Sequence, residues 1–253
     1  ARQSIYALGI LLGQEPAALV AELSPASAIP AAPPSAPAGL RPLRAALAAD
    51  FAGHEATRAL LLAAPRWGNG DDRVDDLARQ VTELLYAQFR ARRNARGGRW
   101  QLALYSFVAN HGLGAAVGAS ADGRGAGASL TRNLDPEWGT DRNGPTAVLE
   151  SLSRIDFTGF PNGSSLDLRF DPEVFASPAG RRLLAHFLKG FVDLGVMQMQ
   201  LSMVDTASLE DARAHPERWP HLMVKVAGYS ARFVDLSAQE QEEVISRTLQ
   251  RLG

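Results

Sequence analysis

Apolar residues recur at helical spacing through much of the chain. SIYALGILL and AALVAEL, within residues 1–23, read as helices, and so do LRPLRAALAADF and HEATRALLLAA farther along. PRWGNGDDRVDDLARQVTELLYAQFRARR opens on a turn and continues as a long amphipathic helix. Its predicted apolar stripe is Val74, Leu77, Val81, Leu84, Leu85 and Phe89. GPTAVLESLSRIDF predicts a helix starting near Pro145, a residue suited to a first turn. SPAGRRLLAHFLKGFVDLG predicts another, with Leu183, Leu184, Phe187, Leu188 and Phe191 on one side and Gly195 at its stop. In LSAQEQEEVISRTLQRL, Ser237 and Glu240 stand at capping-box spacing.

Elsewhere the period shortens to two. WQLALYSFVANH carries aromatic and β-branched residues in alternation and predicts a buried strand, and LDLRFDPEVF predicts a short extended piece. VMQMQLSMV, residues 196–204, alternates strictly. Gln198, Gln200 and Ser202 share one face, and Met197, Met199, Leu201 and Met203 share the other. The polar row suits the lining of a cavity or a solvent-facing edge equally. MVKVAGYSARFVD, residues 223–235, also alternates, but Gly228 stands at its middle. A glycine there marks either a turn or bulge, or a position whose chemistry requires no side chain.

Breakers divide these elements. SPASAIPAAPPSAPAG, residues 24–39, is proline-rich and predicts a loop or tether. GLGAAVGASADGRGAGASL allows positive φ and close backbone approach at an entropic cost. Pro216 interrupts SLEDARAHPERWPHL. The expected organisation is a helical lead-in and tether over 1–39, helices and strands over 40–195, and a C-terminal unit over 196–253. The alternation of helices and strands predicts an α/β fold with a helix-rich N-terminal part.

Composition narrows the classes of function. The 253 residues are 46% hydrophobic, enough for a substantial core, and the formal net charge is -1. No basic stripe suggests nucleic acid, since FRARRNARGGR reads as a helix end and its continuation. No apolar run approaches the length of a membrane span, so no membrane association is expected. The sequence starts without Met or a signal-peptide pattern, which reads as a processed chain or part of a longer one. It contains no cysteine, so disulfides, thiolate metal sites and cysteine nucleophiles are absent from these residues.

The common catalytic constellations do not emerge. The five histidines show no metal-ligand spacing, and no metal is expected. His186 reads as structural and His215 as a turn residue, while His111, beside the glycine-rich stretch, is retained as a functional candidate. DDRVDD reads as a solvated helix start. There is no GxSxG elbow, no dinucleotide fingerprint and no phosphate loop. The residues alone support an α/β domain and no specific reaction.

An ordered set of segments goes further. PRWGNGDDRVDDLA, AAVGASADGRGAGASL, WGTDRNGPTAVLESLSRIDF and the long stretch from VMQMQLSMV through VAGYSARFVDLSAQEQEEVISRT resemble, in that order, the C-terminal part of glycyl radical enzymes. The resemblance covers most of the chain from about residue 40 onward. AGYSA resembles the branch of diol and hydroxyproline dehydratases, choline and isethionate lyases and arylalkylsuccinate synthases. Pyruvate formate-lyase typically has SGYA at this point.

The resemblance implies the C-terminal portion of a ten-stranded β/α barrel, with residues 196–253 as the glycyl radical domain. It implies that Gly228 stores the radical, which a separate radical S-adenosylmethionine activating enzyme installs without leaving a bound cofactor. Loss of the Cα hydrogen leaves a planar radical delocalised over the adjacent amides, and a Cβ would crowd that geometry. Ala227, Tyr229, Ser230 and Arg232 would shape and shield the loop. Ser106, Val108, Asn110, Gln198 and Gln200 would face the substrate pocket, and Asp122 and Arg124 would brace the neighbouring loop.

In the family the radical passes to a cysteine, which then abstracts hydrogen from a small-molecule substrate. That cysteine, with its Gly-Cys-x-Glu loop, has no counterpart here. The expectation is therefore a cytoplasmic lyase or dehydratase portion. It would act only with a cysteine-bearing partner chain or a missing N-terminal portion. A rescue module for an oxygen-damaged enzyme and a degenerate structural homologue are the alternatives.

Overall fold

The structure, a computed structural model, describes residues 40–106, 109–226 and 229–251. The helices and tether expected within 1–39 lie outside the described residues. Two short helices come first, α1 (Leu40–Ala48) and α2 (Glu55–Leu62). Ala46 and Phe51 pack with Ala119 in a small cluster that joins them to the glycine-rich stretch.

The long helix α3 (Asp72–Arg90) begins where the sequence indicates, with the Asp71 side chain accepting from the Arg73 amide. Its inward side differs from the predicted stripe. Asp75, Ala78, Val81 and Thr82 are buried, whereas Val74, Leu77, Leu84, Leu85 and Phe89 are only partly covered. Small residues let α3 lie against α5 (Gly144–Leu152), and Ser151 on α5 donates to Asp75 at 2.9 Å. DDRVDD is therefore not wholly solvated: Asp75 is 1% exposed, and burial raises its carboxyl pKa.

The described residues of WQLALYSFVANH do not form the predicted strand. Leu104 makes a single parallel bridge to Ser164, Trp100 and Tyr105 are exposed, and α4 (Ala109–Ala115) follows. Alternation alone does not make a strand. Around Leu104 the backbone exchanges hydrogen bonds with the Gly163 carbonyl and the Asn162 amide of a neighbouring segment, but among the described residues this pairing does not extend into a ladder.

The central element is β1 (Ser165–Phe170), buried along its whole length. It pairs in parallel with β2 (Gln198–Ser202) on one side and with β5 (Leu249–Gln250) on the other. A parallel pair needs a crossover, and α6 (Pro178–Asp193) provides it. Ser177 caps α6 by accepting from Gly180, and Gly195, at φ +71°, follows its end in a conformation that other residues rarely adopt.

Alternation sorts the faces of β1. Leu166, Leu168 and Phe170 join Leu184, Phe187 and Phe191 of α6 and Val148 and Leu152 of α5 in the main core. The Phe170 and Phe187 rings meet edge-on at 5.3 Å. Each such side chain stabilises the fold by about 1.5–3 kcal/mol when fully buried. Of the predicted α6 face, Leu183 and Leu188 lie outside the buried core and remain exposed, at 41% and 36%.

The C-terminal unit has its own apolar cluster. It comprises α7 (Thr206–Ala214), β3 (Met223–Val226), β4 (Tyr229–Arg232) and α8 (Ala238–Ser246). Leu209, Ala212, Val224, Val226, Phe233 and Val244 pack together. Ser237 and Glu240 form the capping box that their spacing predicts. No helix among the described residues is long and apolar enough to cross a membrane.

Candidate functional site

Within MVKVAGYSARFVD, residues 223–226 and 229–232 pair as the two strands of a hairpin, because the alternating residues have somewhere to go. Val224 and Val226 are 3% exposed against the C-terminal cluster, while Met223 and Lys225 point outward. β3 and β4 pair antiparallel, with Lys225 opposite Ser230 and Val226 opposite Tyr229. Two residues, Ala227 and Gly228, separate Val226 from Tyr229, and both lie outside the described residues. Tyr229 and Ser230 are exposed. Arg232 stands opposite Met223 at the base of the hairpin and pairs with Asp235 at 2.7 Å.

The polar face of the sheet lies beside this unit. Ser165, Asp167 and Arg169 of β1 stand opposite Gln198, Gln200 and Ser202 of β2. The polar row is thus neither a simple solvent edge nor an open cavity wall. Gln198 is exposed, but Gln200 and Ser202 are 7% and 6% exposed, beside a buried charged cluster.

Arg132 and Glu243 organise that cluster. Arg132 Nη2 lies 2.6 Å from Asp167 Oδ2, and its Nη1 lies 2.7 Å from Glu243 Oε1. Arg247 Nη2 donates to the same Glu243 oxygen at 3.1 Å, and Arg247 Nη1 donates to the Lys225 carbonyl at 3.1 Å. Asp135 Oδ1 accepts from the Asp167 amide at 2.7 Å. Burial pushes the Asp135 carboxyl well above the usual carboxylate range, and the Asp167 charge adds to this against the pull of Arg132. Burial also raises Asp167, opposed by Arg132 and Arg247, and it lowers Arg247, helped by Arg132.

The retained histidine belongs to this cluster. His111 Nε2 is 2.7 Å from Glu243 Oε2, and its Nδ1 is 2.8 Å from Ser129 Oγ. Asn110 Nδ2 reaches Glu243 Oε2 at 3.5 Å and the Leu130 carbonyl at 3.3 Å. The Ser106 amide donates to Asn133 Oδ1, and Asn133 Nδ2 reaches Asp167 Oδ2 at 3.5 Å. Ser106, Asn110 and Gln200 are therefore brought to one cluster, whereas Gln198 stays outside it. Val108 lies outside the described residues.

Asp122 and Arg124 brace the glycine-rich loop, as expected. Asp122 Oδ1 accepts from Ser120 Oγ at 2.6 Å and the Arg124 amide at 3.1 Å, while Arg124 Nη1 donates to the carbonyls of Gly125 and Ala128. Burial acts to raise the Asp122 carboxyl, but these hydrogen bonds outweigh it and leave the pKa lowered.

A cavity of about 20 Å³ lies where Asp135, Trp138, Asp141, Asp167, Arg169 and Arg247 meet. It has room for about one water, far less than a substrate needs. Arg169 Nε and Nη1, Arg247 Nε, Trp138 Nε1 and Asp167 Oδ1 have no hydrogen-bond partner among the described residues, so a water there would find donors and an acceptor. No group of three or more His, Asp or Glu among the described residues is placed to hold a metal ion.

The sequence carries a signal for this cluster. β1 and β2 both alternate polar with apolar residues, and Glu243 and Arg247 are four apart, Glu243 in the last turn of α8 and Arg247 just past its end. Two polar strand faces in one sheet imply polar partners above them.

Comparison with known proteins places the chain. Residues 130–234 match the family described as Glycine radical, and residues 37–114 match Pyruvate formate lyase-like. The chain is 34% identical over 205 residues to (2S)-3-sulfopropanediol dehydratase of Klebsiella oxytoca, covering 79% of this chain and 25% of that protein. Trans-4-hydroxy-L-proline dehydratase of Clostridioides difficile is 32% identical over 208 residues, covering 81% and 26%. The glycerol-bound B12-independent glycerol dehydratase of Clostridium butyricum superposes with a TM-score of 0.78 at 34% identity, covering 83% of this chain and 27% of that one. The chain spans about a quarter of the length of these relatives. It belongs to the glycyl radical enzyme family, on the side of the dehydratases and lyases, and has the fold of the C-terminal portion of their barrel.

Proposed function

We propose that the chain is the radical-bearing part of a glycyl radical dehydratase or lyase. The carrying observation is the Glycine radical match over residues 130–234, which contains AGYSA and Gly228. A radical S-adenosylmethionine activating enzyme removes one Cα hydrogen from Gly228. The glycyl radical then takes a hydrogen atom from a cysteine thiol, so that a C–H bond forms and an S–H bond breaks. The thiyl radical abstracts hydrogen from a small organic substrate and returns it to the product radical.

The sequence contains no cysteine, so the thiol comes from another portion of the protein or from a partner chain. Ala227, Tyr229, Ser230 and Arg232 shape the approach to Gly228, and Ser106, Val108, Asn110, Gln198 and Gln200 contribute to the substrate side. The assignment carries with it a cytoplasmic, anaerobic setting and no resident metal. The match over residues 37–114, beyond the radical segment, favours this role over a module that only replaces a damaged radical domain.

The test is anaerobic activation in the presence of the cysteine-bearing part and a cognate activating enzyme. A glycine-centred EPR doublet is expected in the wild type and none in Gly228→Ala. A doublet that persists in the variant sinks the assignment.

A further inference from the structure

We infer that Arg247 is a positioning residue that holds the hairpin bearing Gly228 against the central sheet. This rests on the assignment of the radical to Gly228. The argument follows a chain of contacts outward from the core. Arg169 on the buried strand β1 donates through Nη2 to the backbone carbonyls of Ile245 and Arg247, which fixes the end of α8. The Arg247 side chain is 6% exposed, and its two terminal nitrogens point to different acceptors. Nη2 donates to Glu243, and Nη1 donates to the Lys225 carbonyl on β3.

Lys225 is three positions before Gly228 in the sequence, and its pairing with Ser230 is one step from the Val226–Tyr229 pair. The apolar cluster under Val224 and Val226 belongs to the same C-terminal unit as the hairpin. It holds the hairpin to α7 and α8. Toward the sheet, β3 lies beside β2, and the polar connection through Arg247 adds a directional side-chain tie, with Glu243 held in turn by Arg132 and His111.

An arginine suits this position because its planar fork offers separate donors in fixed directions. A lysine retains the charge on a single nitrogen and lacks that fixed two-ended grip. Nothing in this role requires Arg247 to touch the radical or the substrate.

The test is hydrogen–deuterium exchange on the assembled protein before activation, with the cysteine-bearing part present. Amides in residues 223–232 are compared with those of α6, residues 178–193, as an internal control. Arg247→Met is expected to accelerate exchange in the hairpin by about ten- to hundredfold, the effect of losing one charge-assisted hydrogen bond on local opening, and to leave the control unchanged. Arg247→Lys is expected to restore part of the protection.

Unchanged hairpin exchange in Arg247→Met overturns the inference. Equal acceleration in hairpin and control also overturns it, because that pattern marks a general core residue. Should Arg247→Met not fold, Arg247→Lys decides on the same two criteria. Failure to find a glycyl radical in the wild type would defeat the functional assignment and leave this exchange result standing.

Discussion

Arg132 Nη1 lies 2.7 Å from Glu243 Oε1, with both side chains at most 3% exposed. This contact ties the segment entering the central sheet to the last helix of the chain. A buried charge that loses its partner costs more than the intact pair contributes, because desolvation is no longer compensated. Glu243→Gln keeps the shape and removes the charge facing Arg132, Arg247 and His111. It should destabilise the chain by about 3–5 kcal/mol in urea denaturation. A change below about 0.5 kcal/mol would show that the cluster relaxes around the loss.

Asp135 should make stability depend on pH. Its folded pKa is raised by burial first and by Asp167 second, so the folded state binds this proton more tightly than the unfolded state. The corresponding stability is fully present below the ordinary carboxylate pKa and is lost as pH rises through the raised value. Asp135→Asn cannot titrate, yet its side-chain oxygen can still accept from the Asp167 amide. The melting temperature of the variant should fall less than that of the wild type as pH rises from about 4 towards neutrality. Parallel curves for the two proteins would exclude Asp135 as a source of the dependence.

The core and the outer side of α6 should respond differently to truncation. Leu168 is 4% exposed inside the main cluster, whereas Leu188 is 36% exposed. Leu168→Ala should cost about 2–5 kcal/mol, from lost transfer energy and the cavity left behind. Leu188→Ala should stay within about 0.5 kcal/mol in the isolated chain. Comparable losses at the two positions would contradict the face assigned to α6.

Glycines in the same stretch should also differ. A Cβ on Gly114 would lie 2.4 Å from the Ala128 carbonyl oxygen and 2.7 Å from Ser129 Cα, both backbone atoms with little room to move. Gly114→Ala should destabilise by about 1–3 kcal/mol through overpacking. A Cβ on Gly118 meets nothing within 4 Å, so Gly118→Ala should be neutral or slightly stabilising. Thermal melts of the two variants check the contrast, and equal tolerance would mean that α4 does not pack so closely on the glycine-rich loop.

Local signals were legible where the physics is local. Pro145, Gly195 and the Ser237–Glu240 capping box all begin or end helices as the sequence implies, because each acts on the backbone within a few residues. WQLALYSFVANH shows the limit, since its alternation required a neighbouring strand that the described residues provide only near Leu104. DDRVDD shows another: Asp75 is buried because Ser151, distant in sequence, supplies its hydrogen bond. At the candidate site, His111 and the polar row of β2 stood out as residue types, but their common connection to Glu243, Arg132 and Asp167 did not.

The sequence by itself determined which residues share a face, where the helices are capped, and, through AGYSA and the segments before it, the family to which the chain belongs. Only the tertiary structure decided what covers each face. Periodicity follows from backbone geometry and is written into the chain, whereas the choice between solvent, apolar core and an opposing charge depends on segments brought together by folding. That is why Gly228 could be singled out from the sequence, while the path from β1 through Arg169 and Arg247 to the hairpin required the fold.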